Sequence, residues 1–94
     1  HLRVYPFIKI TPTNKNFFIA INGIKMEFKT DSLDPLNVDL QEIEITQNGE
    51  FKNSAFVGGK IPYLDIGNNP ILLSNCKAEF KIQWRYLLYD LFRN

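Results

Sequence analysis

Apolar and polar residues alternate along the closing run Ala78-Glu79-Phe80-Lys81-Ile82-Gln83-Trp84-Arg85-Tyr86. Ala78, Phe80, Ile82, Trp84 and Tyr86 share one parity, and Glu79, Lys81, Gln83 and Arg85 take the other. A period of two marks a strand with one buried face, here with a heavily aromatic inner side. Near the start, Val4-Tyr5-Pro6-Phe7-Ile8-Lys9-Ile10 is rich in β-branched and aromatic residues. Pro6 brings no N–H to a ladder, so this run reads as an opening or edge strand. Phe17 to Ile21 and Ile24 to Lys29 flank Asn22-Gly23, a pair suited to the two positive φ angles of a type I′ turn. A tight antiparallel hairpin is expected there.

Leu36, Val38 and Leu40 lie on one parity, whereas Ile43 and Ile45 resume on the other. A one-residue slip would turn the apolar side chains outward, so a bulge or bend is expected near Gln41. Gln47-Asn48-Gly49-Glu50 is a turn signal, and Phe51 to Gly58 reads as a surface loop. Ile61 to Leu64 is expected as a short strand, Asp65 to Asn69 as a turn and Ile71-Leu72-Leu73 as another strand. Ser74 to Lys77 then turns into the closing strand. Only Tyr86 to Phe92 carries a weak helical pattern, and no internal repeat is present. Seven or so short strands with turn residues between them predict an all-β domain, an antiparallel two-sheet β-sandwich.

Composition narrows the function classes. Ninety-four residues with 45% hydrophobic side chains are enough for one small core and a single domain. A net charge of +1 with interspersed signs offers no basic stripe, so no nucleic acid partner is expected. Cys76 is the single cysteine, which excludes an internal disulfide. No run approaches the roughly 18 apolar residues of a membrane span, and no signal-peptide pattern stands near His1. Cytoplasmic synthesis and no membrane partner are expected. The opening His1-Leu2-Arg3 runs straight into a strand pattern, the expectation being a domain cut from a longer protein.

Residues with chemical potential each have a structural reading beside them. His1 is the sole histidine and lies at a terminus, where a base or metal ligand would have to be held in place. Cys76 has no histidine in the body of the chain to activate it. Asp39, Glu42 and Glu44 are close in sequence, but on a strand they fit a solvated face better than an acid/base pair. Asp31 and Asp34 fit turn stabilisation better than a calcium loop, which needs more oxygen ligands. Gly58-Gly59-Lys60 lacks phosphate-loop spacing and reads as a turn. Trp84 and Tyr86 could stack on sugars, yet their parity places them with the core. The residues thus predict no enzyme, no catalytic residue, no metal and no cofactor.

Gly59, Ile61, Pro62, Leu64, Gly67, Asn69 and Ile71, followed by Trp84-Arg85, resemble the C-terminal domain of phage distal tail proteins. In that family a Gly-x-aromatic/Ile-Pro-x-Leu turn precedes Gly-x-Asn, an apolar strand and a last strand ending in Trp-Arg. The resemblance runs from Tyr5 to Leu87 and is weakest between Phe51 and Val57. It implies a galectin-like, jelly-roll-like sandwich, with Gly59, Pro62, Leu64, Gly67, Asn69, Trp84 and Arg85 in structural roles. Asp39-Leu40-Gln41-Glu42 looks like the family's Asp-Ser-Glu-Leu strand.

The implied function is a structural adaptor of a phage or prophage baseplate hub at the virion tail tip. It would join the tail tube to host-adhesion proteins, either tail-associated or receptor-binding. An upstream domain would form a hexameric ring, and the isolated sandwich would be monomeric or weakly associating. The tail from Tyr86 to Phe92 extends past the usual family end, and Leu87, Tyr89, Leu91 and Phe92 are candidates for partner docking. The alternative reading is a carbohydrate-binding module for host cell-surface glycans, although the polar constellation of sugar-binding galectins is not recognisable. Glycan titration separates the two.

Overall fold

Asn22 and Gly23 both take positive φ, 55° and 79°, and close a two-residue turn that leaves Ile21 opposite Ile24. Positive φ at both positions matches the right-handed twist of the flanking strands, which is why Asn-Gly pins this register. In a computed structural model that describes residues 3–81, this hairpin is the centre of one of two main sheets. Its strands are β3 (Asn16–Ile21) and β4 (Ile24–Lys29). β10 (Ile71–Ser74) lies on the β3 side and β8 (Phe56–Gly59) on the β4 side, so the order is β10-β3-β4-β8.

The second sheet has five strands in the order β11-β2-β5-β6-β7. These are β2 (Phe7–Pro12), β5 (Leu36–Asp39), β6 (Glu44–Gln47), β7 (Glu50–Phe51) and β11 (Cys76–Lys81). Every pairing is antiparallel. A small third pairing joins β1 (Arg3–Val4) to β9 (Leu64–Asp65). Among the described residues there is no α-helix, only a 3-10 turn at Asn53–Ala55. The fold is the expected all-β, two-sheet antiparallel sandwich.

Alternation decides what each sheet buries. Ile8, Ile10, Leu36, Val38 and Ile45 come from the five-stranded sheet, and Phe17, Ile19, Ile21, Met26 and Phe28 from the four-stranded one; all join one buried cluster. Phe17 and Phe28 lie opposite each other and their rings stack at 4.9 Å. The complementary parity carries Lys9, Lys25, Glu27 and Lys29 into solvent. The closing strand keeps its expected parity as far as it is described, with Cys76, Ala78 and Phe80 packed against the core and Lys77, Glu79 and Lys81 exposed. Its continuation, including Ile82, Trp84 and Tyr86, lies outside the described residues, as does the weak helical pattern from Tyr86 to Phe92.

Several local expectations are corrected. Pro6 does not sit in a strand: it is buried in the break between β1 and β2, where its carbonyl accepts from Leu40 N–H at 3.3 Å. β2 is an interior strand between β11 and β5, so the edge reading fails. The irregularity expected near Gln41, by contrast, is present, and its form is a chain reversal: β5 and β6 pair with each other and residues 40–43 form their turn. Ile43, exposed and at φ 57°, absorbs the mismatch. The supposed loop from Phe51 to Gly58 instead contains β7, the 3-10 turn and β8. Gly58-Gly59 is strand, not turn, and β4 meets β8 with a register shift between Glu27 and Phe28. The strand expected at Ile61 to Leu64 shrinks to β9, since Ile61 to Tyr63 have no ladder partners.

Candidate functional site

The motif-bearing segment that starts at Gly59 is built around the side chain of Asn69. Its Oδ1 accepts from Asp65 N–H at 2.7 Å and from Asn22 Nδ2 at 2.9 Å. Its Nδ2 donates to the carbonyls of Asp65 at 2.9 Å and Gly67 at 3.1 Å. One carboxamide thus closes the turn that follows β9, in which Gly67 stands at φ 99°. Asn22, in the β3–β4 turn, also donates to the Tyr63 carbonyl at 3.1 Å. The segment is therefore fastened to the neighbouring hairpin.

Apolar anchors hold the same segment from below. Pro62 is fully buried and Leu64 is buried in the core cluster. Arg3 lies over the Tyr63 ring at 4.3 Å, and Tyr5 packs at a tilt against that ring at 6.1 Å. Gly59 sits at φ 89°, and a Cβ there would run into the Lys25 carbonyl; Lys60 N–H donates to the same oxygen at 2.9 Å. Only glycine meets both demands. Five motif residues, Gly59, Pro62, Leu64, Gly67 and Asn69, are therefore used for turning, packing and tying. Trp84 and Arg85 lie outside the described residues.

The outer face of the four-stranded sheet carries an open groove of about 370 Å³ lined by Asn16, Phe18, Glu27, Val57, Ser74 and Asn75 among others. Phe18 stands on the parity opposite to Phe17 and Ile19, which is why it leaves the core. Lys25 covers one face of its ring at 4.6 Å and approaches Glu27 at 3.5 Å. The sequence held the signal for Phe18 in that parity, but the run Phe17-Phe18-Ile19 reads as uniformly apolar. Asn75 enters the groove because a single residue at φ 59° carries the chain from β10 in one sheet to β11 in the other.

The titratable candidates have structural employment. Asp39 Oδ1 accepts from Gln41 N–H at 3.0 Å and Glu42 N–H at 3.1 Å, capping the β5–β6 turn. Glu42 lies in that turn rather than on a strand face with Glu44, so the expected shared face is not formed, nor is the Asp39–Glu42 strand implied by resemblance. Asp34 accepts from Asn48 Nδ2 at 2.9 Å. That bond, with a second from Ser32, holds its carboxyl below the usual range. Buried Gln47 donates to the carbonyls of Ser32 and Asp34, tying the loop that also holds Asp31. Among the described residues no cluster of three or more His, Cys, Asp and Glu could hold a metal. Cys76 is half-buried, and burial pushes its thiol up; it points to the Phe18 carbonyl at 3.5 Å. His1 lies outside the described residues.

The docking candidates Leu87, Tyr89, Leu91 and Phe92 also lie outside the described residues. An apolar surface that sequence reasoning missed is the run Ile71-Leu72-Leu73 of β10, all three side chains exposed. Three consecutive apolar residues carry no period, so the sequence alone does not separate a buried strand from an exposed edge. No protein-family model matches the chain, and neither does any curated protein or solved structure.

Proposed function

We propose that this sandwich is a galectin-like adaptor domain of a phage or prophage distal tail protein, joining the tail tube to a tail-associated or receptor-binding protein. The observation that carries the reading is the Asn69-centred tie: the residues that resemble the family's motif are the ones that turn, bury and fasten the segment between β8 and β10. A loop held by side chains at both ends presents a fixed surface, which is what a mechanical joint needs. The role includes no catalytic step, cofactor or metal. Multiplicity in a six-membered ring would convert weak individual contacts into firm attachment.

The test is assembly of the complete gene product. Expressed with whatever sequence precedes His1, it should form a six-fold ring in negative-stain images and bind tail components; a monomer with no affinity for them would overturn the proposal.

The second reading is a carbohydrate-binding module, favoured by the groove beside Phe18, where amide and carboxylate groups from Asn16, Asn75 and Glu27 flank an aromatic ring. Lys25 already occupies one face of that ring, so a sugar would have to displace it. Calorimetric titration with cell-wall saccharides decides: saturable binding abolished by Phe18→Ala would support this reading over the adaptor.

A further inference from the structure

We infer that β10 is a self-pairing edge, through which two copies of this chain join their four-stranded sheets into one continuous eight-stranded sheet. The inference rests on the chemistry of the edge and not on the tail-adaptor reading. Among the described residues, the two main sheets end in β7, β8, β10 and β11. Three of these carry the devices that block edge-to-edge pairing. β11 alternates Lys77, Glu79 and Lys81 outward; β8 is shifted in register against β4 and ends in two glycines; β7 is two residues long and includes Glu50. β10 has no charge, no bulge and no proline, and Ile71, Leu72 and Leu73 are 44%, 61% and 37% exposed.

The register follows from the ladder. Asn22 N–H donates to the Pro70 carbonyl at 2.9 Å, which makes that pair hydrogen-bonded, and antiparallel alternation then makes Leu72–Ala20 and Ser74–Phe18 hydrogen-bonded pairs too. The N–H and C=O of Ile71 and Leu73 consequently point away from β3, to the side on which no described strand pairs. A two-fold axis at Leu72 places Ile71 opposite Leu73 of the second copy and Leu73 opposite its Ile71. Those pairs exchange about four backbone hydrogen bonds. Leu72 meets its own equivalent as the closer, non-hydrogen-bonded pair on the outer face. Ile71 and Leu73, which share the inner parity of Ile19 and Ile21, extend the cores toward each other. The three central cross-strand pairs are apolar, Ser74 falls opposite Pro70 of the second copy, and no pair sets like charges together, so the edge is complementary to itself.

Magnitude sets the strength. The apolar area still exposed on one four-residue strand is on the order of a few hundred Å², short of the roughly 1,000 Å² total of a stable specific interface. The dimer is therefore weak.

Sedimentation equilibrium of the full chain from about 10 µM to 1 mM tests it. The expected result is a weight-average mass that rises toward the dimer. Leu72→Lys and Leu72→Glu alter an exposed side chain and should keep the circular dichroism of the parent. Each alone should weaken association at least ten-fold, by opposing like charges across the axis. Mixed together they should associate again, because Lys then faces Glu at the same position. A monomer at every concentration, including one whose Ile71 and Leu73 amides are protected from exchange by another segment of the chain, would overturn the inference. So would a dimer indifferent to both substitutions, or one that the charge-swapped mixture fails to restore.

Discussion

Replacing Asn69 by alanine tests whether one carboxamide holds the segment between β8 and β10. Four hydrogen bonds meet at this side chain, at 2.7, 2.9, 2.9 and 3.1 Å. Each protein hydrogen bond contributes about 0.5–1.5 kcal/mol net. The site is half-buried, so water recovers part of the loss and the lower end applies. Truncation should cost about 2 kcal/mol, and for a domain of this size that lowers Tm by about 10 °C. The assay is urea unfolding followed by hydrogen exchange, in which the Asp65 amide, having lost its acceptor, should exchange faster while amides of β2 and β5 keep their protection relative to global stability. Asn22→Ala removes the other half of the Asn22–Asn69 contact, and the double substitution should show a coupling of about 0.5–1 kcal/mol because the two side chains touch. A loss below about 0.5 kcal/mol for Asn69→Ala, or strict additivity with Asn22→Ala, would show that this carboxamide does not hold the segment.

Three further outcomes follow from the packing and charges. Gly59→Ala should cost more than about 2 kcal/mol, because φ is 89° and the new methyl group meets the backbone carbonyl of Lys25. Gly58→Ala should cost less than about 1 kcal/mol, since its Cβ would meet only the movable carboxylate end of exposed Glu27; denaturant midpoints of the pair give the comparison. Phe28→Ala, which removes the ring stacked on Phe17 in the core, should lose about 3–5 kcal/mol in urea unfolding. Asp34 has a folded-state pKa lowered by Asn48 and Ser32, so its stabilising contribution is present above the unfolded value of about 3.9 and is lost as pH falls through the folded value. A carboxyl-carbon NMR titration should place its midpoint below that of a free aspartate, and Asn48→Ala should move it upward.

How much of this was legible in the sequence depended on whether neighbouring side chains or distant ones decided the structure. Asn22-Gly23 and Asn48-Gly49 both adopt paired positive φ, as their local chemistry dictates, and the alternation of β2, β3, β4 and β11 sorted core from surface. The slip after Leu40 was visible as a broken period. Its nature was not, because a bulge and a hairpin turn break parity alike, and only the pairing of Asp39 with Glu44 distinguishes them. β8 was hidden by its composition: Gly58-Gly59 dilutes the strand preference of Phe56-Val57, and the segment's place is won by pairing with β4. Pro6 misled because a break between two strands in different sheets looks, in one dimension, like a strand entry. The tie at Asn69 joins residues 47 positions apart, a distance no local pattern spans. The exposed edge at β10 depends on sheet order, which the same apolar run does not encode by itself.

The role proposed for this sandwich is mechanical work at a phage tail tip. Gold-labelled antibody raised against the domain and applied to tailed particles from the source host would locate it. The expected result is gold at the distal end of the tail, beside the junction with the adhesion device. Particles that carry no label, with the antigen found instead on the bacterial surface bound to glycan, would contradict it.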